Sequence, residues 1–450
     1  MRKKIRAAHA AAWLLGGATL VISGRASAAA GNCSGLPNPV YVSGSSAIKP
    51  VLQAVANVLG SAVSIVYYNP GSCQGLQDIL TPQVESGANT LIVPNAANDS
   101  CTPPSAGATI DIGFSDVYLQ TCHDSWNASL VPATLPSGKA DFLGPIQAMT
   151  FAVPKDSSEN AISAEAAYMV FGFDAATGKT ITPWTDPTQI FVRKYDSGTL
   201  QMLGKAINLA GSKWVHAQDN LMNLPEGSTS TQVGGTGPMQ MALTNAEAMT
   251  STQSTAIGIL STSGLKTGIK GLAFQGVGQT CSYYPDSGMT AGDKINVRQG
   301  RYQVWGPEHM VANVDGNGKP VGQNGNTAAV QTLINALIST SQALPTSSSD
   351  AGVPEGGVTT LGETEVGTLI AAISAPSAGF IPQCAMQVKR TAEIGAESSY
   401  APPVACTCAF EAAAGSSPGS TCSSRTCTTD ADCAGKTGTS VCHFKFCEAE

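Results

Sequence analysis

Charged residues are scarce in this chain of 450 residues, of which 12% are Asp, Glu, Lys or Arg and 42% are hydrophobic. That balance excludes an intrinsically disordered chain, because such chains have few apolar residues and a high net charge. Basic residues are scarcer still, with 24 Lys and Arg against 31 Asp and Glu, which excludes a basic nucleic-acid binder. The length allows two to four domains of roughly 100 to 200 residues, each with its own core.

Hydrophobic runs long enough to span a membrane are also missing, since a spanning helix needs about 20 apolar residues. The apolar run over 10–22 falls short, and no later run is longer. It follows a basic start and precedes small residues at 26–28, an order typical of a secretory signal peptide over residues 1–28. We therefore expect an exported protein, in the periplasm or at the cell surface, with no membrane span in the mature chain.

Loss of the signal peptide removes basic but no acidic residues, so the mature chain is more acidic than the formal charge of −7 for the full sequence. Such a chain repels nucleic acids and other anionic polymers. A small anion can still bind where local dipoles and one or two cations overcome that field. We expect no nucleic-acid partner.

Familiar catalytic motifs are absent, since the sequence has no HExxH pattern, no P-loop and no dinucleotide-binding glycine motif. One loop, Gly71-Ser-Cys-Gln-Gly75, fits a nucleophile elbow with Cys73 at its centre. A hydrolase that uses Cys73 therefore stays open as an alternative, although an exported chain favours a disulfide for this cysteine. We predict no catalytic residue, no metal and no cofactor.

Thirteen cysteines in an exported chain indicate disulfides rather than metal thiolates, and one cysteine must be left over. The connectivity does not follow from the sequence, although a bond between Cys101 and Cys122 would bracket the segment around Asp116. Seven cysteines follow residue 405, in a stretch too short for a large core. We predict a linker over 398–405 and a disulfide-rich module over 406–450, which is similar to small Cys-rich extracellular modules of the Dickkopf N-terminal type.

Short apolar strands alternate with helical patterns between residues 29 and about 385, which predicts an α/β protein. Several of the strands run into loops of small polar residues that open a helix. The free N–H groups and the dipole of a helix start favour an anion there. A half-buried hairpin is predicted over 297–305, with Arg298 and Arg301 on its exposed side. The strands most relevant to a site are predicted at 40–42, 63–68, 109–114 and 190–194.

Four of these segments resemble, in order, the phosphate-binding periplasmic protein of the bacterial phosphate ABC transporter. The resemblance covers roughly residues 38–385. It implies a type II periplasmic solute-binding fold, in which two α/β lobes joined by a hinge hold the ligand between them. It also implies a non-enzymatic protein that delivers inorganic phosphate to an inner-membrane ABC permease. The segments are Gly44-Ser-Ser-Ala-Ile-Lys-Pro50, Gly71-Ser-Cys-Gln-Gly75, Asp111-Ile-Gly-Phe-Ser-Asp116 and Arg193-Lys-Tyr-Asp-Ser-Gly-Thr199.

The same resemblance implies the lobes and the ligand-binding residues. Lobe I would comprise 29–140 and 278–397, and lobe II would comprise 141–277. Asp116 is informative, because a carboxylate beside an anion needs a proton from that anion, which monohydrogen phosphate has and sulfate lacks. Arg193 would give charged donors to the oxyanion. The implied phosphate-binding set is Ser46, Ala47, Ser72, Asp116, Arg193, Ser197, Gly198 and Thr199.

Two of the four segments depart from the family's pattern. Ser46 and Ala47 stand where the family usually has Thr followed by Phe, and Cys73 replaces the usual Gly after Ser72. A hydroxyl is kept and an aromatic wall is lost, so another oxyanion or a phosphate ester stays open as the ligand. An exported phosphate sensor or scavenger without a permease is a further alternative. We expect a monomer.

Overall fold

The computed structural model describes most of the chain, and every structural statement below concerns its described residues. The predicted signal peptide lies outside them. The described residues are 31–81, 84–86, 90–93, 96–173, 178–215, 232–342, 361–415, 422, 425–436 and 441–448.

Helices and strands alternate along most of the described chain. The α-helices are α1 (Lys49–Leu59), α2 (Ser72–Leu80), α3 (Leu119–Ser125), α4 (Ala164–Phe173), α5 (Gly198–Ala206), α6 (Thr236–Glu247), α7 (Ile295–Arg298), α8 (Thr327–Gln342), α9 (Glu363–Ser374) and α10 (Thr407–Ala413). The first strands are β1 (Pro39–Gly44), β2 (Ser64–Tyr68), β3 (Val84–Glu85), β4 (Thr90–Val93), β5 (Ala96–Asp99), β6 (Ala108–Thr109), β7 (Ile112–Ser115), β8 (Lys139–Pro154), β9 (Ala161–Ser163) and β10 (Val192–Arg193). The later strands are β11 (Gln232–Val233), β12 (Gly258–Ser261), β13 (Ile269–Gly271), β14 (Ala273–Gln275), β15 (Trp305–Val314), β16 (Pro320–Val321), β17 (Val388–Lys389), β18 (Ser398–Ser399), β19 (Val441–His443) and β20 (Phe446–Glu448).

One large mixed sheet organises the molecule, in the order β12-β8-β15-β7-β1-β2-β4-β5. Strand β1 pairs in parallel with both β2 and β7. All residues of β2 and β7 are buried, as expected for strands covered on both faces. Because β1, β2 and β7 run the same way, their carboxyl ends meet at one edge, where α/β folds bind ligands.

The 16-residue strand β8 joins two α/β regions of this sheet. Its first part pairs with β15, beside the parallel strands β7, β1 and β2. Its second part pairs with β12 and β13, against which α5 and α6 pack. The predicted two-lobed α/β class is confirmed.

The start of α1 shows how the first polar loop is built. Gly44 has φ 136°, and a Cβ there would lie 1.9 Å from the carbonyl oxygen of Phe114, so only glycine fits between the strands. Helix α1 begins at Lys49, with Pro50 in its first turn, where a missing N–H costs little. The serines stay outside the helix, because Ser45 Oγ accepts the Ala47 N–H at 3.0 Å in a local turn.

Six disulfides are present among the described residues, and Cys281 is the exposed cysteine left over. The suggested bond between Cys101 and Cys122 is wrong. Cys122 of α3 instead faces Cys73 of α2, and both are fully buried with their Cα atoms 5.4 Å apart. The bonds are Cys33–Cys101, Cys73–Cys122, Cys384–Cys406, Cys408–Cys422, Cys427–Cys442 and Cys433–Cys447.

The C-terminal segment is disulfide-rich, as predicted, and its small core around β19 and β20 consists of cysteines. Glu448 fixes the start of α10, where its Oε1 accepts the backbone N–H groups of Cys408 and Ala409 at 2.8 and 3.0 Å. Oxidised cysteine pairs fit an oxidising compartment outside the cytoplasm. None of the described helices is both long and apolar enough to cross a bilayer.

The predicted hairpin over 297–305 is wrong, because residues 295–298 form α7 and Arg298 is fully buried. Its Nη1 donates to Glu411 Oε1 of α10 at 2.9 Å, and its Nε donates to the Ala385 carbonyl oxygen at 2.9 Å. Its guanidinium also lies over the Phe410 ring, 5.2 Å from the centroid. A buried arginine requires such partners. This one joins the C-terminal segment to the main body.

Candidate functional site

The loops that leave β2 and β7 meet the start of α5 at the carboxyl edge of the sheet. Ser72 Oγ donates to Asp116 Oδ2 at 3.1 Å. A Cβ on Gly198 would lie 2.5 Å from Ser72 Oγ and 2.7 Å from Asp116 Oδ2. Only glycine allows the first turn of α5 to approach the two side chains this closely. The structure thus brings together three of the predicted residues, although they are far apart in the sequence.

The loop before α2 also contacts the loop before α5. The Cys73 N–H donates to the Asp196 carbonyl oxygen at 3.1 Å. Gly71 has φ 144°, and a Cβ there would lie 2.7 Å from the Asp196 carboxyl carbon. Burial raises the pKa of Asp196 to about 6, although Lys194 and Arg193 oppose that shift. Two helix starts therefore lie side by side around one small, water-poor region.

Arg193 is the buried cation of this region, with 5% of its surface exposed. Its Nη2 donates to Ser46 Oγ at 3.3 Å. Its Nε and Nη1 are buried and have no hydrogen-bond partner among the described residues. Burial lowers the pKa of Arg193, while the charges of Asp116 and Asp196 raise it. A buried guanidinium with two unused donors is costly unless a further acceptor binds there.

Asp116 lies opposite Arg193, is 3% exposed and accepts hydrogen bonds from three side chains. Ser45 Oγ and Gln147 Nε2 both donate to Oδ1, and Ser72 donates to Oδ2. Hydrogen bonds to an ionised acceptor are stronger than neutral ones. The carboxylate is therefore held as an acceptor with a fixed orientation.

The other predicted residues line the same region. Ala47 is buried, and its N–H donates a hydrogen bond to Ser45 Oγ. Ser197 is the N-cap of α5 without a side-chain capping bond, and Thr199 lies in the first turn of that helix, 2% exposed. Because Ser197 Oγ does not cap the helix, its hydroxyl is available for another acceptor or donor.

Several residues of the region were not predicted. Ser45, rather than Ser46, contacts Asp116, and its carbonyl oxygen accepts the hydroxyl of Tyr67. Ser46 Oγ lies 3.3 Å from Thr236 Oγ1 at the start of α6. Gln147 of β8 and Glu308 of β15 complete the set. One sequence signal could have identified Gln147 and Glu308: each is a polar residue inside a largely apolar strand, and a buried polar residue needs a hydrogen-bond partner.

Glu308 is fully buried behind Asp116, and Gln147 Nε2 donates to its Oε2 at 2.8 Å. Burial raises the pKa of Glu308 well above its usual value, and the charge of Asp116 adds to the shift. The hydrogen bond from Gln147 opposes it. With Asp196, the region therefore holds three carboxyl groups and the Arg193 guanidinium.

A second group of buried charges lies next to the Asp116 loop. Glu393 Oε2 accepts the N–H of Tyr118 at 3.2 Å, and burial raises the pKa of Glu393 to about 7. The Tyr118 ring packs edge-on against His309, with centroids 4.4 Å apart. His309 Nδ1 lies 2.7 Å from Asp141 Oδ2. Burial lowers the pKa of His309, but Asp141, Glu393 and Asp116 together raise it, so the net shift is upward.

Cys73 has no thiol in this structure, because it forms a disulfide with Cys122 and is fully buried. A nucleophilic cysteine must present an accessible thiolate. The hydrolase alternative therefore has no support at this position.

Fold and site together describe an α/β protein whose described residues bury the Arg193 guanidinium with two nitrogens that have no partner. No family model and no curated protein matches the chain. Among solved structures, it is similar to a putative phosphate ABC transporter substrate-binding protein with bound phosphate from Clostridium perfringens, at 16% identity over 68% of this chain and 94% of that chain, with a TM-score of 0.42. It is also similar to a phosphate binding protein from Stenotrophomonas maltophilia, at 16% identity over 76% and 90% of the two chains, TM-score 0.40. A mutant of OxyR from Corynebacterium glutamicum matches at 6% identity over 67% and 66%, TM-score 0.32. At such scores no property of these proteins transfers to this chain.

Proposed function

We propose that this protein is a non-enzymatic, exported solute-binding protein that binds inorganic phosphate between its lobes and delivers it to an ABC permease. The observation that carries the proposal is the buried Arg193 guanidinium, whose Nε and Nη1 have no partner among the described residues. A buried cation at the start of a nine-residue helix attracts an anion, since the helix dipole adds to its charge.

The neighbouring groups favour phosphate over sulfate. Arg193, Ser46, Ser197 and the first N–H groups of α5 are donors, which suit the oxygens of any oxyanion. Asp116 is an acceptor, which suits only an oxyanion with a proton of its own. In the present arrangement Ser45 and Ser72 donate to Asp116. A bound monohydrogen phosphate would replace one of these donors with its hydroxyl.

Binding between lobes requires motion. The contact of Gly198 with Ser72 and Asp116 is a closed arrangement, and opening would separate these groups to admit the ligand. In the proposal, lobe I comprises 29–140 and 278–397, lobe II comprises 141–277, and the chain crosses between them through β8 and again near 271–277.

Calorimetric titration of the ligand-stripped protein with phosphate and then sulfate tests the proposal. We expect one-to-one phosphate binding and no heat from sulfate. Arg193→Ala should abolish phosphate binding, because the anion would lose its charged donors. The exposed Arg301 provides a matched control, and Arg301→Ala should bind phosphate as the wild type does. Phosphate binding by Arg193→Ala at wild-type strength would mean that the site lies elsewhere.

A further inference from the structure

Glu308 and Asp116 form a buried carboxyl pair linked by a single amide group. Gln147 Nε2 donates one hydrogen to Asp116 Oδ1 and the other to Glu308 Oε2. Glu308 is 0% exposed, and its Oε1 has no hydrogen-bond partner among the described residues. In the same part of the chain, no cation lies within ion-pair distance of this carboxyl.

Two carboxyl groups in such a place cannot both be ionised at low cost, so they share one proton. Three donors point at Asp116, whereas one points at Glu308. The positive charge of Arg193 attracts the Asp116 carboxylate, and the Glu393 carboxyl of the neighbouring cluster repels that carboxylate. Glu308 is faced by the charge of Asp116 and by the hydroxyl of Tyr67 from β2. The negative charge is therefore more stable on Asp116 and the proton is more stable on Glu308.

We infer that Glu308 is a positioning residue that holds the proton of this pair, so that Asp116 remains an acceptor and takes only oxyanions that carry a proton. The inference rests on the proposed function. If the proton moved to Asp116, that side chain would donate instead, and a fully ionised oxyanion such as sulfate would be accepted. Glu308 does not contact the ligand in this scheme, and it acts through Gln147 and Asp116.

Two substitutions of the same kind locate the proton. Gln is a neutral isostere of a protonated Glu, so Glu308→Gln should keep phosphate affinity within about threefold of the wild type and should still reject sulfate. Asp116→Asn replaces an ionised acceptor, so it should lower the phosphate-to-sulfate preference at least about tenfold. The reverse pattern, with Asp116→Asn tolerated and Glu308→Gln harmful, would overturn the inference. Glu448→Gln is the control, because Glu448 is buried in the C-terminal segment.

Two further readouts need no ligand. At pH 7 the infrared spectrum of the wild type should contain neutral-carboxyl C=O absorption, and one component of it should be lost in Glu308→Gln. Because burial raises the pKa of Glu308, its neutral form stabilises the fold below the unfolded pKa of about 4.3, and this contribution is lost as pH rises through the folded pKa. The melting temperature of Glu308→Gln should therefore fall less with rising pH than that of the wild type.

These measurements distinguish a failure of the proposed function from a failure of the inference about Glu308. A wild type that binds neither anion but shows the Glu308-dependent band and pH slope would overturn the proposed function and leave the carboxyl pair as inferred. A wild type that binds phosphate but has the same band and slope as Glu308→Gln would overturn the inference and leave the proposed function standing.

Discussion

Arg298 and Arg193 are both buried among the described residues, but their partners differ. Arg298 donates to Glu411 and to a backbone carbonyl and lies over an aromatic ring. Arg193 makes one hydrogen bond, at 3.3 Å, and two of its nitrogens remain unused among the described residues. An arginine that only supports the fold finds its partners within the chain. Arg193, which the described chain leaves with unused donors, is the residue that we propose binds the ligand.

The largest expected difference between the two arginines is in the free energy of unfolding after each guanidinium is removed. Arg298→Met removes the donor to Glu411 Oε1 and to the buried Ala385 carbonyl oxygen, so we expect a loss of about 3–5 kcal/mol in the free energy of unfolding. Arg193→Met removes a buried charge with few partners, so the ligand-free protein should be equally or more stable. Denaturant titration of both variants without ligand measures this. Equal losses would mean that Arg193 is a structural residue too.

The second prediction concerns phosphate affinity in the same pair of variants. Arg193→Met should weaken phosphate binding by at least about 100-fold, or about 2.7 kcal/mol, because the ligand loses a charge-assisted partner. Arg298→Met, at a temperature where it is folded, should bind as the wild type does. Calorimetry on the two variants, at matched fractions of folded protein, measures their phosphate affinities. An equal loss of affinity in both variants would contradict the prediction.

Gly198→Ala should have a smaller effect on the same site. The added Cβ would lie 2.5 Å from Ser72 Oγ and 2.7 Å from the Asp116 carboxylate, so α5 could not approach these groups as closely. We expect about tenfold weaker phosphate binding. Gly172→Ala in α4 is the control, because its Cβ would meet only Leu209 at ordinary contact distance. Undiminished affinity in Gly198→Ala would argue against closure at this contact.

The smallest expected effect concerns pH and the second charged cluster. Burial raises the pKa of Glu393 to about 7. Its neutral form therefore stabilises the fold fully below the unfolded pKa of about 4.3, and the contribution is lost as pH rises through about 7. Glu393→Gln should flatten the decline in stability between pH 5 and 8 by roughly 1–2 kcal/mol. A variant with the wild-type slope would show that this carboxyl ionises without cost.

Much of this architecture could be predicted because it depends on local patterns. The strands that lead to Ser72 and Asp116, and the helix that begins after Ser197, follow from apolar runs interrupted by small polar residues. The partners of Arg298 and the pairing of Cys122 could not be predicted in this way. Arg298 binds a carboxylate 113 residues away, and a pattern of alternating residues contains no information on such contacts. Glu308 was missed for the same reason, since its place in the site depends on a hydrogen bond from Gln147 of another strand.

The Cys73–Cys122 disulfide connects the proposed ligand site to the chemistry of the compartment where the chain folds. Cys73 directly follows Ser72 in α2, and Cys122 lies in α3, the helix that follows the Asp116 loop. This bond fixes the spacing between the hydroxyl and the carboxylate that meet at the carboxyl edge. In a reducing cytosol the constraint would be absent, and the two loops would be held by packing alone. In the proposed function, oxidation of this bond after export completes the site, so a chain kept in a reducing compartment would bind phosphate more weakly.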